Sequence, residues 1–567
     1  MTTPHGARRG WHGVGRAVAL ALFLGPLADA LAQERSAVPF AADEARSVAA
    51  ARRMLAATVG LGSADGGLIE HGVASGVIVS PDGLILTVAH AMEGFDGDFA
   101  VLLSDGRVTR ATALGHDRAT DAGMLQISEP GPWPHVKLGD STSLSIGDWC
   151  LAAGHSDGIV AGRPAPVRLG RLRGVLRDER FQRFSLVTDC TLQPGDSGGP
   201  LVDLDGRLVG IGTSIATDVR DNFSVPIEVY RRQWDELRGG KRADGKPTSP
   251  ALQSDFRDES LRHPAIRDRF APIAAEAALS VVEILDDDRR VALGVVVGAD
   301  GWILTKRSEL PGEIRCRVGG RSLDATLVAA DEALDLALVR VEATDLEPIR
   351  WADGEPEVGR FVVTPGPARR PLAVGAVSVG TRPIPARTRY VGDDDDTPAL
   401  GITLDEDPAV TGTVLKRVSP SGPARAAGLR RGDRIVALDG LPTLTAEELA
   451  TAIRAGAIGD RVTIDYCREG LWRQTEATLV PMADAQSDRP RRRDLAFSGP
   501  VSERRQDFPA AFSHDSVLPA DACGGVVVGL DGRAVGLSIA RFDRTTTHAL
   551  PTAAIRAALA RLLPAAP

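Results

Sequence analysis

One passage occurs twice in this sequence, and the repeat constrains the fold more than any other feature. The repeated pieces are "DCTLQPGDSGGPLVDLDGRLVGI" (189–211) with "DSVLPADACGGVVVGLDGRAVGL" (515–537), "GVIVSPDGLILT" (76–87) with "GVVVGADGWILT" (294–305), "GHDRATDAGMLQI" (115–127) with "AADEALDLALVRV" (329–341) and, more weakly, "GDWCLAAGH" (147–155) with "GRFVVTPGP" (359–367). The pieces keep the same order in both halves. Ordered matches of this kind indicate a duplicated structural unit, so the chain is predicted to contain one fold twice.

The repeated pieces also indicate the type of fold. They are short, β-branched runs joined by Asp-Gly, a dipeptide typical of hairpin turns. Many short strands predict a mainly β barrel or sandwich. A length of 567 residues predicts three or four domains. The net charge of −9 gives no reason to expect a nucleic-acid partner.

The first residues have the pattern of an export signal. Arg8, Arg9 and Arg16 precede an apolar run, which ends with Ala30 and Ala32 in a small-x-small arrangement. Residues 1–32 are therefore predicted to be a signal peptide, which would place the mature chain in the periplasm or outside the cell. An uncleaved membrane anchor is the alternative interpretation of the same run.

"QPGDSGGPLV", around Ser197, has the pattern of a nucleophile turn. Flanking glycines permit the backbone that such a turn needs. The backbone N–H groups of Gly195 and Ser197 would then point at the oxyanion formed in acyl transfer. A serine hydroxyl is a poor nucleophile alone, so a base and an orienting carboxylate must lie beside it.

His90 is the candidate base because it follows an apolar strand in "LILTVAHAMEG". Asp121 is the candidate carboxylate because it directly precedes another apolar strand, whereas the competing Asp117 does not. The order His, Asp, Ser is that of the chymotrypsin fold. The competing histidines in this half of the chain, none of which ends a strand in this way, are His12, His71, His116, His135 and His155.

The second copy has lost two of the three catalytic residue types. Ser308 stands at the base position and Cys523 at the nucleophile position, while Asp335 retains the carboxylate. His514 and His548 are near Cys523 in sequence, but neither falls at the base position. Without a neighbouring base, a thiol acts as a nucleophile only if something else lowers its pKa. The sequence therefore predicts an inert cysteine and an inactive second copy.

Residues 397–481 interrupt the second copy and resemble a PDZ domain. The resemblance rests on Leu400-Gly401-Ile402, which matches the peptide-binding loop, and on "SGPARAAGLRRGDRIVALDG" (421–440). PDZ domains add a peptide as an extra strand and capture its terminal carboxylate on backbone N–H groups. Residues Thr445–Ile453 have helical spacing and would form the other wall of the groove.

Residues 47–230 resemble the HtrA (Deg) group of trypsin-like serine proteases in "SGVIVSPDGLILTVAH", "TDAGMLQI", "TDCTLQPGDSGGPLVDLDGRLVGI" and "NFSVPI". The resemblance implies a chymotrypsin-like double β-barrel, here duplicated, with His90 as base, Asp121 as orienting acid and Ser197 as nucleophile. It also implies a primary specificity pocket lined by Leu192 and Ile215. HtrA-like enzymes act on unfolded or damaged proteins and often form trimers, so both are expectations here.

The sequence departs from the HtrA pattern at Asp196, where the family usually has Asn, and the partner of this carboxylate stays open. The predicted domains are a signal peptide (1–32), a protease domain (33–238), a linker (239–272), a split degenerate domain (273–394 and 486–567) and a PDZ domain (395–485). No clustered ligand set predicts a metal or cofactor. A non-catalytic chaperone or sensor, and a regulatory protease with one specific target, are the alternative functions.

Overall fold

The computed structural model describes residues 39–63, 74–92, 98–178, 183–216, 218–244, 253–386, 388, 397–405, 412–419, 422–485 and 499–564. The predicted signal peptide lies outside these residues. Among them, no helix is long and apolar enough to cross a membrane.

The first copy consists of two β-barrels preceded by a helix. Its elements are α1 (Ala41–Ala57), β1 (Thr58–Ser63), β2 (Ala74–Ile78), β3 (Leu84–Thr87), β4 (Phe99–Leu102), β5 (Val108–Asp117), β6 (Ala122–Ile127), β7 (Trp149–Ala153), β8 (Val167–Asp178), β9 (Arg183–Thr188), β10 (Pro200–Asp203), β11 (Leu208–Ile215), β12 (Asn222–Pro226), α2 (Ile227–Arg232), α3 (Trp234–Arg238), β13 (Arg242–Ala243) and β14 (Gln253–Phe256).

Each barrel of the first copy has six antiparallel strands. Barrel one (β1–β6) has the order β5-β4-β1-β2-β3-β6 and closes through β5 and β6, while barrel two (β7–β12) has the order β8-β7-β10-β11-β12-β9 and closes through β8 and β9. The hairpins predicted from Asp-Gly turns are present as β2 with β3 and β10 with β11. Strand interiors such as Leu84–Thr87 are buried throughout, as barrel cores require.

The second copy repeats this architecture. Its elements are α4 (Pro264–Asp268), α5 (Ala271–Ala278), β15 (Val281–Asp286), β16 (Arg289–Gly298), β17 (Trp302–Lys306), β18 (Ile314–Val318), β19 (Arg321–Asp331), β20 (Leu336–Val341), β21 (Phe361–Thr364) and β22 (Ala373–Ile384), followed after the insertion by β31 (Phe508–His514), β32 (Val526–Val528), β33 (Ala534–Arg541), β34 (Thr547–Pro551) and α9 (Thr552–Leu562). Barrel three (β15–β20) and barrel four (β21, β22, β31–β34) are both closed. The predicted duplicated double barrel is therefore confirmed.

The inserted domain occupies the connection between β22 and β31. Its elements are β23 (Pro398–Ala399), β24 (Ile402–Asp405), β25 (Thr413–Val418), α6 (Pro423–Ala426), β26 (Arg434–Leu438), β27 (Leu441–Pro442), α7 (Ala446–Ala455), β28 (Arg461–Arg468), β29 (Leu471–Thr478), β30 (Val480–Pro481) and α8 (Met482–Ala485). Thr445 caps α7 and forms a capping box with Glu448, so the predicted groove helix is present. The domain begins and ends on paired strands, because β23 and β30 are antiparallel neighbours.

The two protease-like copies share one hydrophobic core. The Phe40 ring stacks on Phe270 with centroids 4.3 Å apart, and the Trp149 and Phe361 rings are 5.1 Å apart. The buried Ser47 hydroxyl donates to the Gly359 carbonyl oxygen at 2.8 Å. The copies therefore pack as one body and not as two independent domains.

The segment predicted as a linker, 239–272, differs from that expectation. β13 pairs with β5 of barrel one, and β14 pairs with β8 of barrel two. Ser260 and Leu261 donate hydrogen bonds to the buried Asp189 carboxylate. A composition rich in Gly, Pro and charge identified a break between the copies, but it did not reveal that the connection pairs with both barrels.

Three buried histidines make the stability of this fold sensitive to acid. Burial lowers the pKa of His155, His514 and His548 to about 3 each. The unfolded chain therefore binds up to three more protons than the folded chain as the pH falls below about 6.5. Asp515 opposes this effect, because burial raises its pKa to about 6 and the folded chain keeps a proton that the unfolded chain releases.

We therefore expect the free energy of unfolding to fall as the pH is lowered from about 6 to 4, by up to about 1.4 kcal/mol per pH unit for each of these histidines. Urea unfolding followed by tryptophan fluorescence at several pH values measures this slope. In His514→Gln the slope should shrink by about 1.4 kcal/mol per pH unit, the value for one proton. A midpoint that stays constant over this range would contradict the prediction.

Candidate active site

His90 and Asp121 meet at the ends of two paired strands in barrel one. His90 lies in a single 3-10 turn after β3, and Asp121 directly precedes β6, which pairs with β3. The His90 Nδ1 atom is 2.9 Å from Asp121 Oδ2, and the backbone N–H of His90 donates to Asp121 Oδ1 at 3.0 Å. Asp121 has φ of 58°, a left-handed conformation that the short Asp side chain tolerates. The carboxylate thus fixes both the backbone and the ring of His90.

Hydrogen bonds keep Asp121 ionised in spite of its burial. Burial raises the pKa of Asp121, but the contacts with His90 and the hydroxyl of Thr213 outweigh burial and hold that pKa below its usual value. Arg118 lies 3.6 Å from Asp121 Oδ1 and adds a positive charge. An ionised carboxylate at His90 Nδ1 leaves Nε2 as the atom that can accept a proton.

Ser197 follows a tight turn that begins barrel two's β10. The N–H of Asp196 donates to the carbonyl oxygen of Gln193 at 3.0 Å, and Gly195 has φ of 97°. Proline in the second position and a positive-φ glycine in the third make this a type II turn. Within the described part of the chain, the backbone N–H groups of Gly195 and Ser197 donate to no protein acceptor. Both are therefore available for an oxyanion.

The Ser197 hydroxyl bonds to a backbone carbonyl oxygen of barrel two. Its Oγ atom donates to the Thr213 carbonyl oxygen at 3.3 Å, and among the described residues it forms no hydrogen bond with His90. The Ser197 carbonyl oxygen accepts from the N–H of Ser75 in barrel one at 2.8 Å, which places Ser197 at the junction of the barrels. Catalytic hydrogen bonds are often absent before substrate binds, and rotation about χ1 redirects this hydroxyl.

Arg168 is the partner of Asp196 that the sequence left open. Asp196 is buried, and its Oδ2 atom accepts from the N–H of Gln193 at 2.9 Å and lies 3.8 Å from Arg168 Nη2. Burial raises the pKa of Asp196, and the charge of Arg168 opposes that rise. A buried carboxylate without a counter-charge would be strongly destabilising. Arg168 therefore stabilises the turn that carries Ser197.

The two predicted pocket residues lie in one apolar cluster beside Ser197. Leu192 is buried, and Ile215 packs against the same group of side chains in barrel two. The N–H of Leu192 donates to the side-chain oxygen of Asn222 at 2.9 Å, which fixes the backbone between β9 and the Ser197 turn.

Comparison with known proteins agrees with this geometry. A trypsin-like peptidase domain model matches residues 74–211 and 292–412, and a PDZ domain model matches 398–479. A Halomonas elongata protein named "Probable periplasmic serine endoprotease DegP-like" is 29% identical over 394 residues, which cover 68% of this chain and 74% of that protein. Proteins with the same name from Pseudomonas fulva and Chlamydia pneumoniae are 26% and 34% identical, over 70% and 29% of this chain and 76% and 34% of their own lengths.

These findings support an HtrA-type serine protease with a PDZ domain. The chain is a serine endopeptidase that binds peptide or protein substrates, and nothing in these comparisons favours the non-catalytic alternative. The periplasmic names of its relatives support an exported location. The HtrA resemblance stated from the sequence is thus confirmed.

The second copy keeps the backbone arrangement of the site with different side chains. The N–H of Ser308 donates to Asp335 Oδ1 at 2.8 Å, as His90 does to Asp121, and Asp335 has φ of 56°. The Ser308 hydroxyl also donates to Asp335 at 2.9 Å, in the place of an imidazole.

The Cys523 side chain is not exposed at the protein surface. It is fully buried, and burial raises the pKa of its thiol, an effect that the charge of Lys306 opposes. Lys306 is itself fully buried and forms an ion pair with Glu309. The thiol is thus protonated at neutral pH and out of reach of a peptide.

The PDZ loop is present, with one neighbour that the sequence did not predict. Gly401 has φ of 73°, and its carbonyl oxygen accepts from Ser419 at 2.7 Å. β24, which begins at Ile402, is an edge strand of its sheet, as strand addition requires. Ala485 of α8 is buried, and a Cβ on Gly401 would lie 2.4 Å from its carbonyl oxygen. The chain leaving the PDZ domain therefore packs against the loop.

Three residues that support the site escaped sequence reasoning. Thr213 bonds the Asp121 carboxylate, Tyr230 donates to the Thr87 carbonyl oxygen at the end of β3 at 2.6 Å, and Arg168 pairs with Asp196. Thr213 follows an apolar strand in "VGIGT", which resembles a core segment. Arg168 lies in a basic stretch, a pattern typical of solvent-exposed surface. Only the fold brings these residues to the site.

Proposed function

We propose that His90, Asp121 and Ser197 hydrolyse peptide bonds through an acyl-enzyme. His90 Nε2 accepts the Ser197 proton as Oγ attacks the scissile carbonyl carbon, and Asp121 stabilises the resulting imidazolium. The N–H groups of Gly195 and Ser197 bind the oxyanion. His90 then protonates the leaving amine. Water next attacks the acyl ester on Ser197, with His90 again accepting and then returning a proton.

One observation carries this assignment: an ionised Asp121 holds His90 Nδ1 at 2.9 Å beside a type II turn with two unbonded N–H groups. No other histidine in the described residues of the first copy has a comparable carboxylate next to a nucleophile. His116 contacts Asp244 at 3.0 Å, and His155 is buried.

The proposal extends to substrates and organisation. The substrates are unfolded or damaged proteins, with apolar side chains entering beside Leu192 and Ile215. The Leu400-Gly401-Ile402 loop binds peptide C-termini, and the chain works as a homo-oligomer, a trimer by family resemblance. The signal peptide is residues 1–32, the protease domain 33–238, the PDZ domain 395–485, and the degenerate domain 273–394 with 486–567, while residues 239–272 connect the two copies and pair with both barrels of the first.

Labelling with a fluorophosphonate tests the assignment without knowledge of the substrate. An activated serine oxygen displaces fluoride from phosphorus, and mass spectrometry then locates the ester. We expect the label on the peptide that contains Ser197, none on Cys523, and none on the His90→Ala chain. A folded chain that takes up no label at Ser197 would contradict the proposal.

A further inference from the structure

The segments that form the acyl-transfer site pack against the second copy. We name residues 193–197 the catalytic turn and residues 213–216 the substrate edge. The catalytic turn presents the oxyanion donors, and the substrate edge continues from Thr213, which contacts both Asp121 and Ser197. Both segments are hydrogen-bonded to side chains from barrel four. The second copy therefore contacts the residues that determine catalytic geometry.

Arg168 connects the catalytic turn to β22 of the second copy. Its guanidinium is 1% exposed. It donates to the Thr191 carbonyl oxygen at 3.1 Å and to the Ser156 hydroxyl at 2.7 Å, and it lies 3.8 Å from Asp196. Its Nη1 atom donates to Ser378 Oγ of β22 at 3.4 Å. The counter-ion of Asp196 is thus positioned partly by the second copy.

Gln193, the first residue of the catalytic turn, is also bonded across the interface. Its Nε2 atom donates to Thr545 Oγ1 in the loop between β33 and β34, and both side chains are buried. The backbone of Gln193 closes the turn in both directions, because its N–H donates to the Asp196 carboxylate and its carbonyl oxygen accepts from the Asp196 N–H. Fixing the Gln193 side chain therefore restrains the turn that orients Gly195.

The adjacent residue of the same loop holds the substrate edge. Arg544 Nη2 donates to the Ala216 carbonyl oxygen at 3.0 Å. A further contact connects the barrels, since Asp515 accepts the N–H of Leu169 on β8 and the N–H of Ala376 on β22, both at 2.6 Å. Leu169 is next to Arg168. The interface between the two copies thus holds Arg168, the catalytic turn and the substrate edge.

We propose that the degenerate second copy is a built-in positioning module for the first copy's active site. Through Ser378 and Thr545 it holds Arg168 and Gln193, and so keeps the catalytic turn in the form that presents its oxyanion donors. Ser378 and Thr545 are positioning residues, since neither touches substrate. The inference rests on the proposed function of Ser197 and adds the reason why a copy without catalysis retains its fold.

The test compares steady-state kinetics on a peptide substrate in the full chain. Thr545→Val removes the hydroxyl that Gln193 bonds, Thr545→Ser retains it, and Ser378→Ala removes the Arg168 contact. We expect kcat to fall about tenfold in Thr545→Val, the effect of one lost buried hydrogen bond on the transition state, with KM changed little. Thr545→Ser should restore kcat.

Ser47→Ala is the matched control, because it deletes a buried hydroxyl contact between α1 and the second copy, away from the catalytic turn. It should lower the unfolding midpoint as much as Thr545→Val does, yet leave kcat within about twofold. Gln193→Met combined with Thr545→Val should lower kcat no further than either change alone, because the two side chains form one bond.

The outcomes separate the inference from the proposed function. Normal kcat in both Thr545→Val and Ser378→Ala, or an equal loss of kcat in Ser47→Ala, overturns the inference while the protease assignment stands. An unaltered chain whose hydrolysis does not depend on Ser197 overturns the protease assignment and the inference with it. A loss of kcat confined to Thr545→Val and Ser378→Ala, with recovery in Thr545→Ser, supports both.

Discussion

Replacing Ser197 by Ala is expected to lower kcat for casein hydrolysis about 10⁶-fold, because no acyl-enzyme can form without the hydroxyl. The rest of the site should be undisturbed, since within the described residues the Ser197 side chain makes one hydrogen bond, to the Thr213 carbonyl oxygen. The release of acid-soluble fragments from casein measures the rate. Circular dichroism of the variant establishes that the fold is retained.

Cys523→Ala is the matched control for this substitution, since Cys523 occupies the equivalent position in the second copy. Its thiol is fully buried and protonated, so hydrolysis should be unchanged. Hydrolysis that survives Ser197→Ala and is lost in Cys523→Ala would reverse the assignment of the two copies.

Replacing Asp121 by Asn is expected to lower kcat about 10⁴-fold with little change in KM. The Asn amide would present an N–H group to His90 Nδ1 in place of a carboxylate oxygen. His90 would then carry its proton on Nε2, the atom that must accept the proton of Ser197. Steady-state kinetics on a peptide substrate at pH 8 measures the loss.

The second copy supplies the control for Asp121→Asn as well. Asp335 has the same backbone conformation and the same bond to a neighbouring N–H, but it orients Ser308 and not a base. Asp335→Asn should therefore leave kcat unchanged. An equal loss of kcat in the two variants would mean that these carboxylates act through the fold and not through His90.

The duplicated barrels could be predicted because strands and turns have local signals. The Asp-Gly hairpins, the ordered repeat and the PDZ loop are each contained within a few residues. The closure of a barrel has no such signal, since β1 meets β4 and β3 meets β6 across intervening strands. The pairing of β13 and β14 with the first copy escaped prediction for the same reason: a short strand at a sheet edge has almost no apolar pattern.

The catalytic residues could be predicted from their surroundings, and their supports could not. His90 follows an apolar strand, Asp121 precedes one and Ser197 lies in a glycine-flanked turn before another, in a chain order that few folds share. Arg168 is buried only because β8 packs against β22 of a unit more than two hundred residues away. Its charge suggests solvent exposure, and only the tertiary interface accounts for its burial.

The paired strands β23 and β30 at the base of the PDZ domain have a consequence for proteolysis. The flanking strands β22 and β31 are themselves antiparallel neighbours in barrel four, so a cut on either side of the PDZ domain leaves both ends of the break attached to a closed barrel. A nicked chain would stay associated through that barrel. Removal of the PDZ domain requires two cuts, and loss of everything after β22 would remove four of the six strands of barrel four.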